Sequence, residues 1–284
     1  MLAGDDVTTC IFFENVYYSY GEHVDWALQG VNFAVRRGEW VTMIGGNGSG
    51  KSTIALLMKG LLIPTNGKVY ILDKETCKPE HLGEIRQKVG LVFQNPDQQL
   101  VCLTVQDDVS FGLENLGLPP AEIERRVDEI MRKLDLLAVK EQDPHSLSPG
   151  QKQKLAFAGV TAMEPEIVIF DEATSMLDPQ GAQVIYNMMA QLHQQGMTII
   201  HITHDLDEIE IGGRIVILNE GRIHFDGSWE EIMGNTKLLE EAGLCLPFAV
   251  RIRNALCKEG FDLAERAATL EEMAKQICKY VSGK

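Results

Sequence analysis

Positive charge is the first thing this chain is short of. Its 284 residues carry 26 Lys and Arg against 41 Asp and Glu, a formal net charge of −15. That balance disfavours a nucleic-acid partner, whose phosphates call for a basic face. It suits a well-solvated surface, or a basic protein partner. Long hydrophobic runs are missing as well: none approaches the roughly 20 residues a bilayer-spanning helix needs. Met1-Leu2-Ala3-Gly4-Asp5-Asp6 is acidic and has no signal-peptide core, so no export leader is expected. The six cysteines (Cys10, Cys77, Cys102, Cys245, Cys257, Cys278) are scattered, with no Cys-x-x-Cys pair. That argues against a zinc site and a disulfide framework, and suits a reducing cytosol. Neither a long internal repeat nor a low-complexity tract is visible. The length allows one large core, or a core with a small appendage.

What is present centres on Gly45-Gly46-Asn47-Gly48-Ser49-Gly50-Lys51-Ser52, which fits G-x-x-x-x-G-K-[ST] without a mismatch. The apolar run Trp40–Ile44 before it predicts a buried strand, and Thr53–Met58 after it a helix, which is the context the motif requires. Glycines let the backbone curl so that successive N–H groups form an anion nest, and the helix N-terminus adds partial positive charge. Lys51 can reach the β- and γ-phosphates of a nucleotide, and the Ser52 hydroxyl can ligate Mg²⁺. Gly45, Asn47, Gly48, Ser49, Gly50, Lys51, Ser52 and Thr53 are therefore candidate ATP-binding residues. A plain glycine-rich turn is the alternative, and the full motif in its context weighs against it. A dinucleotide fingerprint is disfavoured by Lys51-Ser52 and by the lack of a clear G-x-G-x-x-G frame.

Other candidates fall into place around that loop. Residues 11–35 alternate like antiparallel strands with a turn at Gly21-Glu22-His23. Tyr20 beside that turn can stack on an adenine face or simply pack, with Tyr17 and Tyr18 as rivals. Asn66-Gly67 predicts a hairpin joining Leu61-Leu62-Ile63 to Lys68–Leu72. Val89–Phe93 reads as a buried strand ended by Gln94, whose amide can face Mg²⁺ or water, or bond its own backbone. A mostly helical insertion follows, over about residues 95–160. Within it Ile123, Val127, Ile130, Met131 and Leu134 keep helical spacing. Ser148 is a good N-cap with Pro149 at the first helical position, giving either a bare helix start or a second anion-binding N-terminus. Glu166–Glu172 predicts a strand ending in two carboxylates. Asp171 is placed to hold Mg²⁺ and Glu172 to accept a proton from water. Met197–Thr203 is another strand with His204 at its end, on the ligand edge of a parallel sheet. His201 reads as a core histidine. Arg214–Leu218 and Arg222–Phe225 form a closing hairpin. From residue 229 to 284 the pattern is of short amphipathic helices, with Thr269-Leu270-Glu271-Glu272 as a capping box, able to pack on the main domain or on a partner. The expected fold is α/β: a P-loop core with an antiparallel β subdomain over residues 1–228, a helical subdomain inserted in it, and a C-terminal helical appendage.

Taken in order, Tyr20, Gly45–Ser52, Gln94, Leu147–Gln151, Asp171-Glu172, Ser175–Asp178 and His204 resemble an ABC-type ATPase over nearly the full length. Val92–Gln99 and Asp171–Pro179 resemble more narrowly the ATPase subunits of energy-coupling factor (ECF) importers of vitamins and metal ions, also called cobalt-transport type. Ser175-Met176-Leu177 is similar to the first of the two ATPase types in such complexes. The resemblance implies that two ATPase subunits, this chain and a related one, pair head to tail around two ATP molecules. It further implies that Tyr20 stacks on adenine, that Ser52, Gln94 and Asp171 serve Mg²⁺, and that Glu172 polarises the attacking water. His204 would contact the γ-phosphate. Ser148, Gly150 and Gln151 would serve the partner's site, and Asp178 would link the two sites. A transmembrane coupling protein would dock near Gln94–Gln99 and the helical insertion, substrate-binding membrane subunits would follow indirectly, and the chain would be peripheral on the cytoplasmic face. Pro149 departs from the family's Leu-Ser-Gly-Gly-Gln signature, removing one N–H, so a weakened site is expected where this signature is received. An ordinary ABC importer ATPase is the runner-up. DNA-repair types would need a long coiled coil and ribosome-acting types a second cassette, and neither is visible. A P-loop kinase has no place for the signature helix or His204, and a silent scaffold would not keep Lys51, Asp171 and Glu172.

Overall fold

The structure, a computed structural model, describes residues 8–21, 25–206, 213–234, 237–244, 246, 248–261, 273–275 and 277–278. Strands β1 (Thr9–Tyr18) and β2 (Leu28–Arg36) pair antiparallel, as the alternation predicts. Strand β3 (Trp40–Ile44) and helix α1 (Lys51–Met58) flank the glycine loop. Next come β4 (Asn66–Ile71), β5 (Lys74–Glu75), α2 (Pro79–Lys88) and β6 (Val89–Val92). The insertion holds α3 (Val105–Asn115), α4 (Pro120–Lys133) and α5 (Pro149–Thr161). Then β7 (Ile167–Asp171), α6 (Pro179–Gln194) and β8 (Thr198–Thr203) lead to the hairpin of β9 (Arg214–Asn219) and β10 (Arg222–Ser228). Helices α7 (Trp229–Gly234), α8 (Lys237–Glu241) and α9 (Phe248–Lys258) follow.

Two sheets result. The first is antiparallel, in the order β2-β1-β4-β5, and the second runs β10-β9-β3-β8-β7-β6. In the second sheet every pairing is parallel except that of β10 with β9. All residues of β3, β6, β7 and β8 are buried, which explains why they are mostly apolar with no alternation: both faces of a parallel sheet are covered. One core joins the antiparallel sheet, α1 and the parallel sheet through Phe13, Ile11, Met43, Ile54 and Ile169. A second joins α3–α6 to Phe170, Val168 and Ile199. A third seats α7 and α8, through Trp229, Ile232 and Leu239, on Ile44, Ile215 and Ile217. The apolar stripes of α7 and α8 therefore pack within the chain. Those of α9 meet Phe261, Met273 and Ile277 in a small separate cluster. The capping box at 269–272 lies outside the described residues. No helix among the described residues is long and apolar enough to cross a membrane.

The Asn66-Gly67 hairpin is not formed. Leu61 and Leu62 donate their N–H groups to Leu56 O (2.9 and 3.3 Å), winding up the end of α1 instead of making a strand. Asn66-Gly67 opens β4, at a register shift against β1. Gly67 has φ 79°, and a Cβ there would lie 2.2 Å from Asn15 O. Close backbone approach, not a hairpin turn, is what the glycine serves.

His201 is the buried histidine that the sequence suggests, edge-on to the rings of Trp40 and Tyr186. Burial pushes its pKa down to about 4. The unfolded chain takes up this proton below about pH 6.5, while the folded chain resists until about pH 4. The stabilising difference is therefore complete above pH 6.5 and is lost as pH falls, by roughly 2–3 kcal/mol at pH 4.5. Chemical unfolding at pH 7 and 4.5 checks this: His201→Phe should lose less stability on acidification than the wild type by about that amount.

Candidate active site

The site grows out of strand register. Ile44 lies opposite Thr203, and Asp171 opposite Ile202, so loop 45–50, His204 and Asp171-Glu172 leave the parallel sheet at one edge. Val92 pairs with Phe170, which brings Gln94 to the same edge. This is where open α/β sheets bind ligands.

The glycine loop is built for backbone, not side chains. A Cβ on Gly45 would sit 2.2 Å from Leu218 O, so only glycine lets the loop pass β9. Ser49 O accepts from Gly221 N at 3.0 Å, which ties the loop to the β9–β10 hairpin. Lys51 is buried, and its Nζ donates to Gly45 O (2.9 Å) and Gly46 O (3.0 Å). Burial lowers its pKa, opposed by the charges of Glu172 and Asp171. The ammonium is thus held inside the loop, where a phosphate would offer stronger acceptors than two carbonyls.

Glu172 is the hub of the carboxylate side. Its Oε2 accepts from Gln94 Nε2 at 2.9 Å and lies 3.2 Å from His204 Nδ1. Its Oε1 is 3.8 Å from Lys51 Nζ. The backbone at Glu172 is left-handed, φ 49°, which is uncommon for a side chain of this length. Two bonds hold it there: Glu172 N to Ile202 O at 2.9 Å, and Ser175 Oγ to Glu172 O at 2.8 Å. The strained turn aims a carboxylate across the mouth of the loop.

Asp171 is buried, and burial raises its carboxyl pKa, partly offset by a hydrogen bond with Ser52. Its Oδ1 is buried without a hydrogen-bond partner. A buried orphan carboxylate oxygen beside a serine hydroxyl fits a divalent cation. Among the described residues no cluster of three or more His, Cys, Asp or Glu could hold a metal by itself. A cation here fits one carboxylate and Ser52 with nucleotide phosphates supplying the other oxygens, the usual pattern for Mg²⁺.

Tyr20 is 59% exposed, lies edge-on to Tyr18 at 4.9 Å, and has its hydroxyl 3.0 Å from Thr53 Oγ1. Its open ring face suits a planar base. The Tyr20–Thr53 bond has no signal in the sequence, since it joins residues 33 apart with no local pattern. Ser148, Gly150, Gln151 and Asp178 are not brought to this loop. Ser148 Oγ accepts from Gln151 N (3.3 Å) and Gln151 Oε1 from Ser148 N (3.1 Å), a full capping box on α5. Asp178 caps α6 by accepting from Gly181 N at 2.6 Å. Ser148 and Asp178 lie on the exposed surface.

Comparison with known proteins agrees with this geometry. Residues 28–175, just over half of the chain, match the ABC transporter family. The energy-coupling factor transporter ATP-binding protein EcfA1 of Halalkalibacterium halodurans is 43% identical over 272 residues, covering 96% of this chain and 98% of that protein. The protein of the same name from Listeria monocytogenes is 41% identical over 94% of this chain and 95% of its own length. Among solved structures, cbiO1 from Clostridium perfringens, described as part of the ABC transporter complex cbiONQ, superposes with a TM-score of 0.73 at 34% identity, covering 88% of this chain and 99% of that one. The cassette MJ0796, as a post-hydrolysis dimer bound to ADP and Pi, gives a TM-score of 0.71 at 31% identity, over 77% of this chain and 98% of that one. The phosphate loop, the paired carboxylates and this kinship lead to one conclusion: the chain belongs to the ABC transporter family of ATPases, in its energy-coupling factor branch.

Proposed function

We propose that this chain is the ATP-hydrolysing motor subunit of an ECF-type importer of vitamins or metal ions, bound peripherally at the cytoplasmic face of the membrane. The observation that carries the hydrolytic role is the convergence of Lys51, Gln94 and His204 on the Glu172 carboxylate, beside the orphan oxygen of Asp171, and the kinship with ECF ATP-binding proteins supports the importer role. In this reading Lys51 and the loop N–H groups hold the ATP phosphates, and Tyr20 stacks on adenine. Asp171, Ser52 and Gln94 are the groups that would hold Mg²⁺, which when bound neutralises phosphate charge. Glu172 accepts the proton of the attacking water, and His204 donates a hydrogen bond to the γ-phosphate. Ser148 and Asp178 are exposed and Gly150 and Gln151 half-buried, which leaves all four free to serve the site of a second ATPase chain paired head to tail. Val101 and Leu103, just after the Gln94 segment in the chain, and Phe111 on α3 are exposed apolar side chains, and Leu103 is 87% exposed. These exposed apolar side chains support docking of a transmembrane coupling protein on the Gln94 segment and the helical insertion. The deciding experiment is co-purification from native membranes through a tag on this chain. A second ATPase, a coupling protein and small substrate-binding membrane proteins should come along. A permease pair with an external binding protein would move the chain to the ordinary importer class, and soluble partners alone would remove the transport role.

The signature helix supports an unequal pair of sites. Pro149 fits the first turn of α5. Gln151 N is taken by Ser148 Oγ and Lys152 N by Ser148 O, so Gly150 N–H and the Ser148 hydroxyl are the donors left for a phosphate. A charge-assisted bond contributes about 1.5–3 kcal/mol. Pro149→Gly should therefore raise turnover about ten-fold or more at the site receiving this signature. Unchanged turnover in the reconstituted complex would contradict the weakened site.

A further inference from the structure

Gln94 sits on a short segment stitched to the signature helix. Beyond β6 the chain makes a 3₁₀ turn at Pro96–Gln98, with the Asn95 side chain accepting from Asp97 N at 3.0 Å. Lys152 Nζ of α5 then reaches Asp97 Oδ1 at 2.7 Å. Gln99 Nε2 donates to Ala156 O at 3.1 Å, and the buried Gln153 donates to Phe93 O at 3.4 Å. His145, just ahead of the signature, has Nδ1 3.7 Å from the same Asp97 oxygen. Phe93, Asp97 and Gln99 of one segment thus bond to one helix, and that helix begins at Ser148-Pro149-Gly150. On its other side the segment carries the Gln94 amide that touches Glu172.

We infer that Asp97 and Lys152 are positioning residues, whose ion pair locks the Gln94 segment to the signature helix so that Gln94 and Ser148–Gly150 move as one body. Such a partly exposed pair adds little to stability, so its effect is on register. The residue at the chain's own Glu172 and the residues it presents to a partner are then coupled by a contact that neither makes directly. The inference rests on the ATPase reading of Gln94 and the signature, and Glu172→Gln is the control for that reading.

The test is ATP turnover by the full-length chain in its complex, with thermal midpoints measured alongside. Asp97→Asn and Lys152→Met should each lower kcat about two- to thirty-fold, the range for contacts that couple two elements, with KM for ATP and the midpoint unchanged. The double variant should lose no more than either single one, because the two residues act as a unit. The charge swap Asp97→Lys with Lys152→Asp should recover activity. Unchanged kcat in both single variants would overturn the inference, as would losses that multiply in the double variant and survive the swap. If the pair variants lose kcat while Glu172→Gln does not, the pair stands and the general-base assignment falls.

Discussion

Glu172→Gln should slow ATP hydrolysis by about 10²–10⁴-fold, the usual contribution of a positioned general base, while leaving ATP binding intact. The substitution preserves shape and so preserves the turn. Ser175 Oγ and Ile202 O hold the left-handed backbone at residue 172 through main-chain atoms that the change does not touch. What disappears is an oxygen able to take a proton. In the wild type that carboxylate is already braced by Gln94 and His204 on one oxygen and faces Lys51 from the other. A base fixed in this way does not have to be ordered when water arrives, which is the advantage of preorganisation. Steady-state turnover of the purified variant checks the prediction, and a rate equal to wild type would reject Glu172 as the base.

Lys51→Met should lower kcat/KM for ATP by roughly 10²–10⁴-fold, because the Nζ now satisfied by Gly45 O and Gly46 O would otherwise make charge-assisted bonds to two phosphates. Each such bond contributes about 1.5–3 kcal/mol, and each 1.4 kcal/mol is a factor of about ten. Methionine keeps most of the buried stem, so the β3–α1 packing survives. Leaving two carbonyls without their donor costs some stability, but removing a desolvated ammonium offsets it, since burial already lowers the Lys51 pKa. The expected signature is a large loss of nucleotide affinity, read by calorimetry, with a small change in the unfolding midpoint. Wild-type affinity in Lys51→Met would exclude the ammonium from phosphate binding.

Much of this architecture is legible in the residues themselves. The glycine loop constrains its own geometry: Gly45 has no room for a Cβ, so the motif and the fold are one statement. The buried parallel strands show as apolar runs, and Ser148-Pro149 marks the start of α5 to the residue. Sequence patterns mislead where a local signal serves a distant contact. Asn66-Gly67 reads as a hairpin, yet Gly67 is there because β4 grazes Asn15 across the sheet. Asp97 and Lys152 lie 55 positions apart, and nothing in either neighbourhood predicts their meeting. The left-handed turn at Glu172 has no residue signal at all, because glutamate is an unusual occupant of that conformation. Ser148 shows in the residues as a cap that could open an anion-binding helix, but its service to a partner's site, like the roles of Gly150 and Asp178, comes only by resemblance, and within one chain these residues are not gathered at the phosphate loop.

In this mechanism Glu172 acts on ATP held by the chain's own phosphate loop and closed over by a second chain. The most direct measurement is the nucleotide retained by the Glu172→Gln complex after rapid gel filtration with ATP and Mg²⁺. Intact ATP should co-elute with a two-ATPase particle, and be lost when Mg²⁺ is chelated. Recovery of ADP alone, or of a single ATPase chain with bound ATP, would contradict this mechanism.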